Sequence, residues 1–324
     1  MAADASGINL RDLRTFVAVA ETGSFVKAAT RLSISQSTAT GHVQALEREL
    51  GTTLLLRENR LGVELTRDGK RAYRYAKGIL QSCAELCDDV SGSAQTELAI
   101  AASTAPTYGL LPRYMSEFAR LDPACHLSVL AGDSGDVCRM VLDADVQLGF
   151  VGFSDDRQRL RFEKVADDRL VLITPNTQRF QRAKERGALG RDLLGEPIIF
   201  RESGSGSQRV INRFLGSLES KGKVQVPQAT HCVSNTELLQ DLVARGAGVS
   251  IISTMVAARR IASGELLAFE LDERPFLRPI YLVSLRRGSL SDAAREFIAM
   301  VRRLKAEAKA DAKADAKADA RAEG

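Results

Sequence analysis

SFVKAATRLSISQSTATGHVQALERE, residues 24–49, is the stretch from which the fold can be read. It splits into two short helices around one tight turn. The first spans Phe25–Leu32, the break falls at Ser33 and Ile34, and the second opens at Ser35, whose hydroxyl can accept from a free backbone N–H. Ala28, Ala29 and Leu32 form an apolar stripe at helical spacing, and Val43, Leu46 and Leu50 form its counterpart. Between those anchors lie Gln36, Ser37, Thr38, Thr40 and His42, polar but almost uncharged. A face made for water alone usually carries Lys and Glu. This one offers hydrogen-bonding groups on a surface that can come close to another, as a helix entering the major groove of DNA requires.

The flanking segments complete a small domain. Residues 8–20 read as a helix with Leu10, Leu13, Phe16, Val17 and Ala20 on one face, and Gly23 can end it. Residues 52–66 alternate around an Asn/Gly-containing centre and predict a β-hairpin. Arg57 and Arg60 on that hairpin fit a wing that meets phosphates or the minor groove. From Arg67 to about Val90 the apolar residues recur at three- and four-residue steps, basic in the first half and acidic in the second. A long amphipathic helix of this kind pairs with a second copy of itself, so a dimer contact is expected here. Cys83 and Cys87 stand four apart on it without a neighbouring His or Cys, so they are assigned to packing and no metal site is expected.

The 324 residues, 44% hydrophobic and 27% charged, have room for two or three globular domains. A net charge of +4 says little about nucleic acid, and the placement of the charges has to say it. Five irregularly spaced cysteines fit a reducing compartment. The N-terminal residues lack a signal-peptide pattern and no apolar run could span a bilayer, so a cytoplasmic location and no membrane partner are expected.

Beyond a Ser/Gly-containing linker at residues 91–95 the pattern becomes α/β. Strands are predicted at 97–102, 127–131, 146–152, 170–175, 197–200, 229–233, 249–253 and 276–285. Helices are predicted at 108–121, 134–143, 207–218, 236–245 and 291–304. Such alternation implies parallel sheets, and two similar units with a late return strand imply two lobes joined by crossing strands. Ligands in such folds sit at the C-terminal ends of strands. Residues 305–324 repeat Ala, Lys and Asp with like charges at i, i+4, which predicts a disordered, solvated tail.

The spacing of Leu13-x-x-Phe16, Gly23-Ser24-Phe25, Ala28-Ala29-x-x-Leu32, Ser35-Gln36-Ser37, Ala45-Leu46-Glu47-x-x-Leu50-Gly51 and Leu65-Thr66-x-x-Gly69 resembles the N-terminal domain of LysR-type transcriptional regulators. Residues 102–123 and 236–253 look like that family's effector-domain segments. The resemblance covers everything but the tail. It implies a winged helix-turn-helix at 1–66, a dimerising linker helix and hinge at 67–95, and a two-lobed, periplasmic-binding-protein-like effector domain at 96–304. Lobe I would take about 96–169 and 270–304, and lobe II about 170–269. It further implies dimers or tetramers, double-stranded promoter DNA as partner, RNA polymerase as a partner the reading admits, and a small-molecule effector that alters DNA bending. Two positions depart from the family's habit. Gly41 stands where many members carry a long polar residue on the reading helix, and Leu55 stands where Phe is usual.

The DNA-contacting set is therefore Ser35, Gln36, Ser37, Thr38, Thr40, His42, Arg57 and Arg60. In the resembled family the effector lies between the lobes, and three stretches qualify. Ser103 and Thr104 precede a helix, where hydroxyls and free N–H groups suit an anion. Residues 201–207, RESGSGS, offer Arg201, Ser205, Gly206 and Ser207. That loop lacks the lysine of a nucleotide-binding loop and the glycine spacing of a nucleophile elbow. Asn235 and Thr236 open a further helix. The expected effector is a small anion, a carboxylate or inorganic oxyanion. The Gly-Ser-Gly-Ser loop resembles the form in members linked to sulfur or related oxyanion metabolism. No cofactor is expected. His42, His126 and His231, the only histidines, form no triad or metal spacing, so an enzyme is not expected. A solute-binding protein without DNA reading is the alternative, and the winged helix opposes it.

Overall fold

The computed structural model describes residues 7–58, 62–91, 97–153, 158–202, 206–220 and 229–322. It divides into two compact units near Thr96. The first contains α1 (Leu10–Thr22), α2 (Phe25–Leu32), α3 (Gln36–Leu50), the hairpin β1 (Leu55–Glu58) and β2 (Gly62–Leu65), and α4 (Arg67–Ser91). Local chemistry sets nearly every boundary. Asn9 accepts from the Arg11 N–H at 2.9 Å, so α1 starts at Leu10, two residues later than the apolar pattern predicts, and Leu10 stays exposed. Gly23 at φ 62° and Gly51 at φ 64° end α1 and α3 in the left-handed region, where a side chain would be strained. Ser33 makes the same turn at φ 55° between α2 and α3. Phe16, Val19, Ala28, Val43, Leu46 and Leu54 close the core of this unit, and Leu55, the departure from Phe, is buried in it.

The hairpin is tied to the bundle by specific polar contacts. The Glu47 carboxylate on α3 accepts from the backbone N–H groups of Leu54 (2.7 Å) and Leu55 (3.2 Å). Thr66 donates its hydroxyl to the Thr53 carbonyl and accepts from the Gly69 N–H, both at 2.8 Å, and so caps α4. A Cβ on Gly69 would overlap the Leu54 carbonyl oxygen. These contacts explain why Glu47, Thr66 and Gly69 stand at fixed spacing.

The second unit contains β3 (Glu97–Ala102), α5 (Thr104–Gly109), α6 (Leu111–Leu121), β4 (His126–Ala131), α7 (Ser134–Leu142), β5 (Leu148–Val151), β6 (Leu160–Pro175), α8 (Gln178–Glu185), β7 (Ile198–Arg201), α9 (Gly206–Ser220), β8 (Ala229–Val233), α10 (Thr236–Ala244), β9 (Ser250–Ser253), α11 (Thr254–Ala262), β10 (Leu266–Glu270), β11 (Phe276–Leu285) and α12 (Asp292–Ala322). One sheet runs β10-β6-β11-β5-β3-β4, with β9 also on β6, and β7-β8 form a separate parallel pair.

The expectation of purely parallel sheets is corrected. β3 pairs parallel with β4 and β5, but β11 is antiparallel to β5 and β6, and β6 is antiparallel to β9 and β10. The long strands β6 and β11 run through both lobes in opposite directions, so the return has to be antiparallel. Residues 160–169 were not predicted as strand because their charges hide the apolar alternation. The helix expected at 108–121 breaks at Leu110, just before Pro112, which has no N–H to donate. α8, α11 and β10 were not predicted. Leu170, Leu172, Ile198, Ile211, Leu215 and Ile251 build the core of the second lobe.

The tail expected to be disordered is helical. α12 continues to Ala322. Alternating alanines supply the best helix propensity, and stacked like charges on a solvated surface cost only about 0.2–0.5 kcal/mol per pair. Among the described residues no helix is long and apolar enough to cross a membrane.

The Gly69 contact is a backbone clash and no flexible side chain can relieve it. Gly69→Ala is expected to destabilise the chain by about 1–3 kcal/mol in urea unfolding. Gly78→Ala, at an open position on the same helix, should be neutral or stabilising by up to about 1 kcal/mol. Equal effects would contradict the assignment.

Candidate DNA-reading helix and effector cavity

The N-terminus of α3 presents Gln36, Ser37 and Thr38 to solvent. Ser35 is exposed too, but its hydroxyl is engaged. It accepts from the Thr38 N–H at 3.0 Å and lies 2.8 and 2.7 Å from the Ser37 and Thr38 hydroxyls. Ser35 therefore sets the direction in which its neighbours point. Thr40 and His42 are half-buried on the two flanks of the helix. His42 faces α1, with Nδ1 2.9 Å from the Thr15 hydroxyl. That hydroxyl also lies 2.8 Å from the Arg11 carbonyl oxygen, which can only accept. The single hydroxyl hydrogen goes to the carbonyl, so the His42 Nδ1–H donates to Thr15. Gly41 lies on the exposed face, and a Cβ there would meet nothing within 4 Å. No internal packing requires this glycine. Arg57 lies on β1 with its backbone opposite Val63, and Arg60 lies outside the described residues.

In the second unit a cavity of about 230 Å³ gathers Ser103, Thr104, Ser134, Arg201, Gly206, Ser207 and Arg278, with carboxylates from Asp133, Asp136 and Glu202. Five predicted residues meet here: Ser103, Thr104, Arg201, Gly206 and Ser207. Ser205 lies outside the described residues. The other two, Asn235 and Thr236, do not line this cavity. The Asn235 side chain accepts from the Glu237 and Leu238 N–H groups (2.8 and 3.0 Å), which makes it the cap of α10. Thr236 lies behind the cavity wall and accepts from the Arg201 guanidinium. Gly206 lets the first turn of α9 approach the first turn of α7, since a Cβ there would lie 2.7 Å from the Ser134 hydroxyl.

The cavity is internally ion-paired. Arg201 donates from Nε and a terminal nitrogen to the two oxygens of Glu202 at 3.0 and 2.8 Å. Burial alone would raise the Glu202 carboxyl, but the bonds from Arg201 outweigh it and hold it below the usual carboxylate range. Asp133 and Asp136 each accept from the other's backbone N–H at the start of α7, and Asp136 also pairs with Arg139. Arg278 was not anticipated. It is 4% exposed and donates from Nε to Asp168 at 2.7 Å and from a terminal nitrogen to Ser207 at 2.9 Å. Asp168 is fully buried and also accepts from the Ser253 hydroxyl at 2.6 Å.

The bacterial regulatory helix-turn-helix domain of the lysR family matches residues 10–70, and the LysR substrate binding domain matches residues 91–306. The chain belongs to the LysR family. It is a DNA-binding transcriptional regulator with an effector-binding domain. It is 26% identical over 292 residues to the HTH-type transcriptional activator CmpR of a Synechocystis strain, covering 89% of this chain and 93% of that one. It is 28% identical over 299 residues to the RuBisCO operon transcriptional regulator of Allochromatium vinosum, covering 90% and 95%. Among solved structures it resembles full-length CbnR complexed with its target DNA, at a TM-score of 0.59 and 25% identity, covering 91% and 99%.

In this LysR-family chain the ion pair at the floor of the cavity could not be read locally, because Asp168 and Arg278 are 110 residues apart and meet only through the β6–β11 register. Removing one partner leaves an uncompensated buried charge. Asp168→Ala is expected to cost about 3–5 kcal/mol in denaturant unfolding. A loss below 1 kcal/mol would show that the Arg278 charge is solvated by other means.

Proposed function

We propose that this LysR-family regulator binds a compact anion in the cavity at Arg201 and Arg278, and that the anion exchanges with Glu202. The observation that carries the reading is the convergence of two guanidinium groups, the Ser207 and Thr104 side chains and the first turns of α7 and α9 on one small space. The Arg201 fork is closed on Glu202, and the carboxylate acts as a resident stand-in for the ligand. With sulfate, inorganic phosphate and acetate as probes, a concentration-dependent rise in the Tm of the full chain is expected. Glu202→Gln should tighten the response by removing the competitor, and Arg201→Gln should abolish it. A Tm that moves only with neutral or cationic metabolites would refute the anion assignment.

On the DNA side, Gln36, Ser37, Thr38 and Thr40 would read base edges, with Ser35 orienting them and Arg57 and Arg60 of the wing meeting the backbone. His42 in its Nδ1–H form offers Nε2 as an acceptor, so it suits the exocyclic amine of adenine or cytosine and not a phosphate. Gly41 would allow close approach of the helix backbone. Two copies pairing through α4, which exposes Tyr75, Ile79 and Leu86 at helical spacing, would place two reading helices on one promoter. Assembly into tetramers, contact with RNA polymerase and action in the cytoplasm belong to the same reading. Footprinting on the protein's own promoter is expected to show paired half-sites, with affinity falling steeply with salt. Gln36→Ala should cost about 1–3 kcal/mol on the specific site and little on random DNA. Thr15→Val, which frees the His42 tautomer, should relax base preference at one position of each half-site. Equal losses on specific and random DNA would remove Gln36 and His42 from the reading set.

A further inference from the structure

A second cavity, of about 600 Å³, lies in the same unit and differs in chemistry from the first. One wall is a face of α9, where Val210, Arg213, Phe214 and Ser217 recur at i, i+3, i+4 and i+7. The other is β11 from Phe276 to Tyr281, with Phe153 beyond the end of β5. Along Phe276–Ile280 β11 pairs with β6 on one side, while its pairing with β5 is confined to Tyr281–Val283. Pro279 has no N–H to offer a further strand. The surface is aromatic and apolar. The Phe214 and Phe276 rings lie 4.6 Å apart, and Leu277 is 53% exposed. Its cationic residues are Arg213, whose guanidinium lies 5.9 Å from the Phe153 ring centroid, and Arg278. Among the described residues no carboxylate lines it or pairs with Arg213.

We propose that this groove is a second ligand site, specific for a flat aromatic carboxylate. The ring would lie against Phe214, Phe276 and Leu277, with the carboxylate toward Arg213. The volume falls within the range of small-molecule pockets, and an apolar body with one anionic group is the complement of an aromatic surface edged by arginine. A compact oxyanion would leave the apolar walls unfilled, so the two cavities select different ligands. Both touch Arg278, which donates to Ser207 in one and lines the other. A ligand held between α9 and the crossing strand β11 would therefore bear on the same guanidinium as the effector.

The test is calorimetric titration of the full chain with 2-naphthoate, alongside neutral 2-naphthamide and acetate. Naphthoate is expected to bind at least tenfold more tightly than either. Arg213→Gln, at an exposed position, should reduce naphthoate affinity to that of the amide with Tm unchanged. Leu277→Asp should weaken it further. Glu202→Gln, which alters only the smaller cavity, should leave naphthoate binding as it was, so this site and the anion site fail independently. Absence of naphthoate binding to the unsubstituted chain, wild-type affinity in Arg213→Gln, or a naphthoate response governed by Glu202 would each overturn the proposal.

Discussion

The second unit depends on one buried ion pair. Arg278 on β11 and Asp168 on β6 face each other across the two strands that run through both lobes, and both are buried. Desolvating two such charges costs several kcal/mol per ion, and an apolar pair of similar volume would often be as stable or more so. Stability alone therefore does not account for the pair. What an apolar pair could not do is reach Ser207 at the start of α9 and hold Ser253 at the start of α11 through the same carboxylate. The pair links the crossing strands to two helix starts and leaves a guanidinium in the cavity. Gly152 completes the arrangement, since a Cβ there would press to 3.2 Å from the guanidinium carbon.

The charge balance of the cavity constrains how it can respond. Every carboxylate that lines it except Asp133 is paired with an arginine, and Asp133 is spent on the Asp136 N–H. A ligand therefore trades one set of bonds for another, and the net gain is a difference. For a ligand held there, the energy available to shift a conformational equilibrium would be the differential part alone. α5 packs on α11, where a side chain at Gly109 would collide with Met255, and Tyr108 of α5 bonds to Glu237 of α10, which with burial raises the tyrosine hydroxyl.

How much of this was legible follows from the range of the interactions. The N-terminal unit could be read closely because its signals are local. Ser24 and Ser35 cap helices within three residues, and Gly23 and Gly51 stop them by positive φ. The cavity was legible where a helix start or a glycine loop marks it, as at Ser103, Thr104, Arg201, Gly206 and Ser207. At Asn235 the same signal marks a helix cap, whose amide oxygen accepts from the Glu237 and Leu238 N–H groups, and the residue does not line the cavity. Arg278 and Asp168 carried no local signal at all. Their strand partnership was hidden in the charged first half of β6, the polar α8 escaped because Phe180 is its one buried residue, and β10, which buries Leu266 and Phe269, is too short to show a period.

In the first unit the Glu47 carboxylate of α3 fixes the start of β1, while Thr66 joins the end of β2 to α4. The Gly23 carbonyl accepts from the Val63 N–H at 3.0 Å and fastens β2 to the turn between α1 and α2. Reading helix, hairpin and the start of α4 are thus bonded to one another by side-chain-to-backbone contacts from Glu47 and Thr66 and by the backbone bond from Val63 to Gly23. Loosening any of them would leave buried donors or acceptors without partners, at about 1–3 kcal/mol each. The reading helix, the hairpin and the start of α4 therefore form one bonded piece.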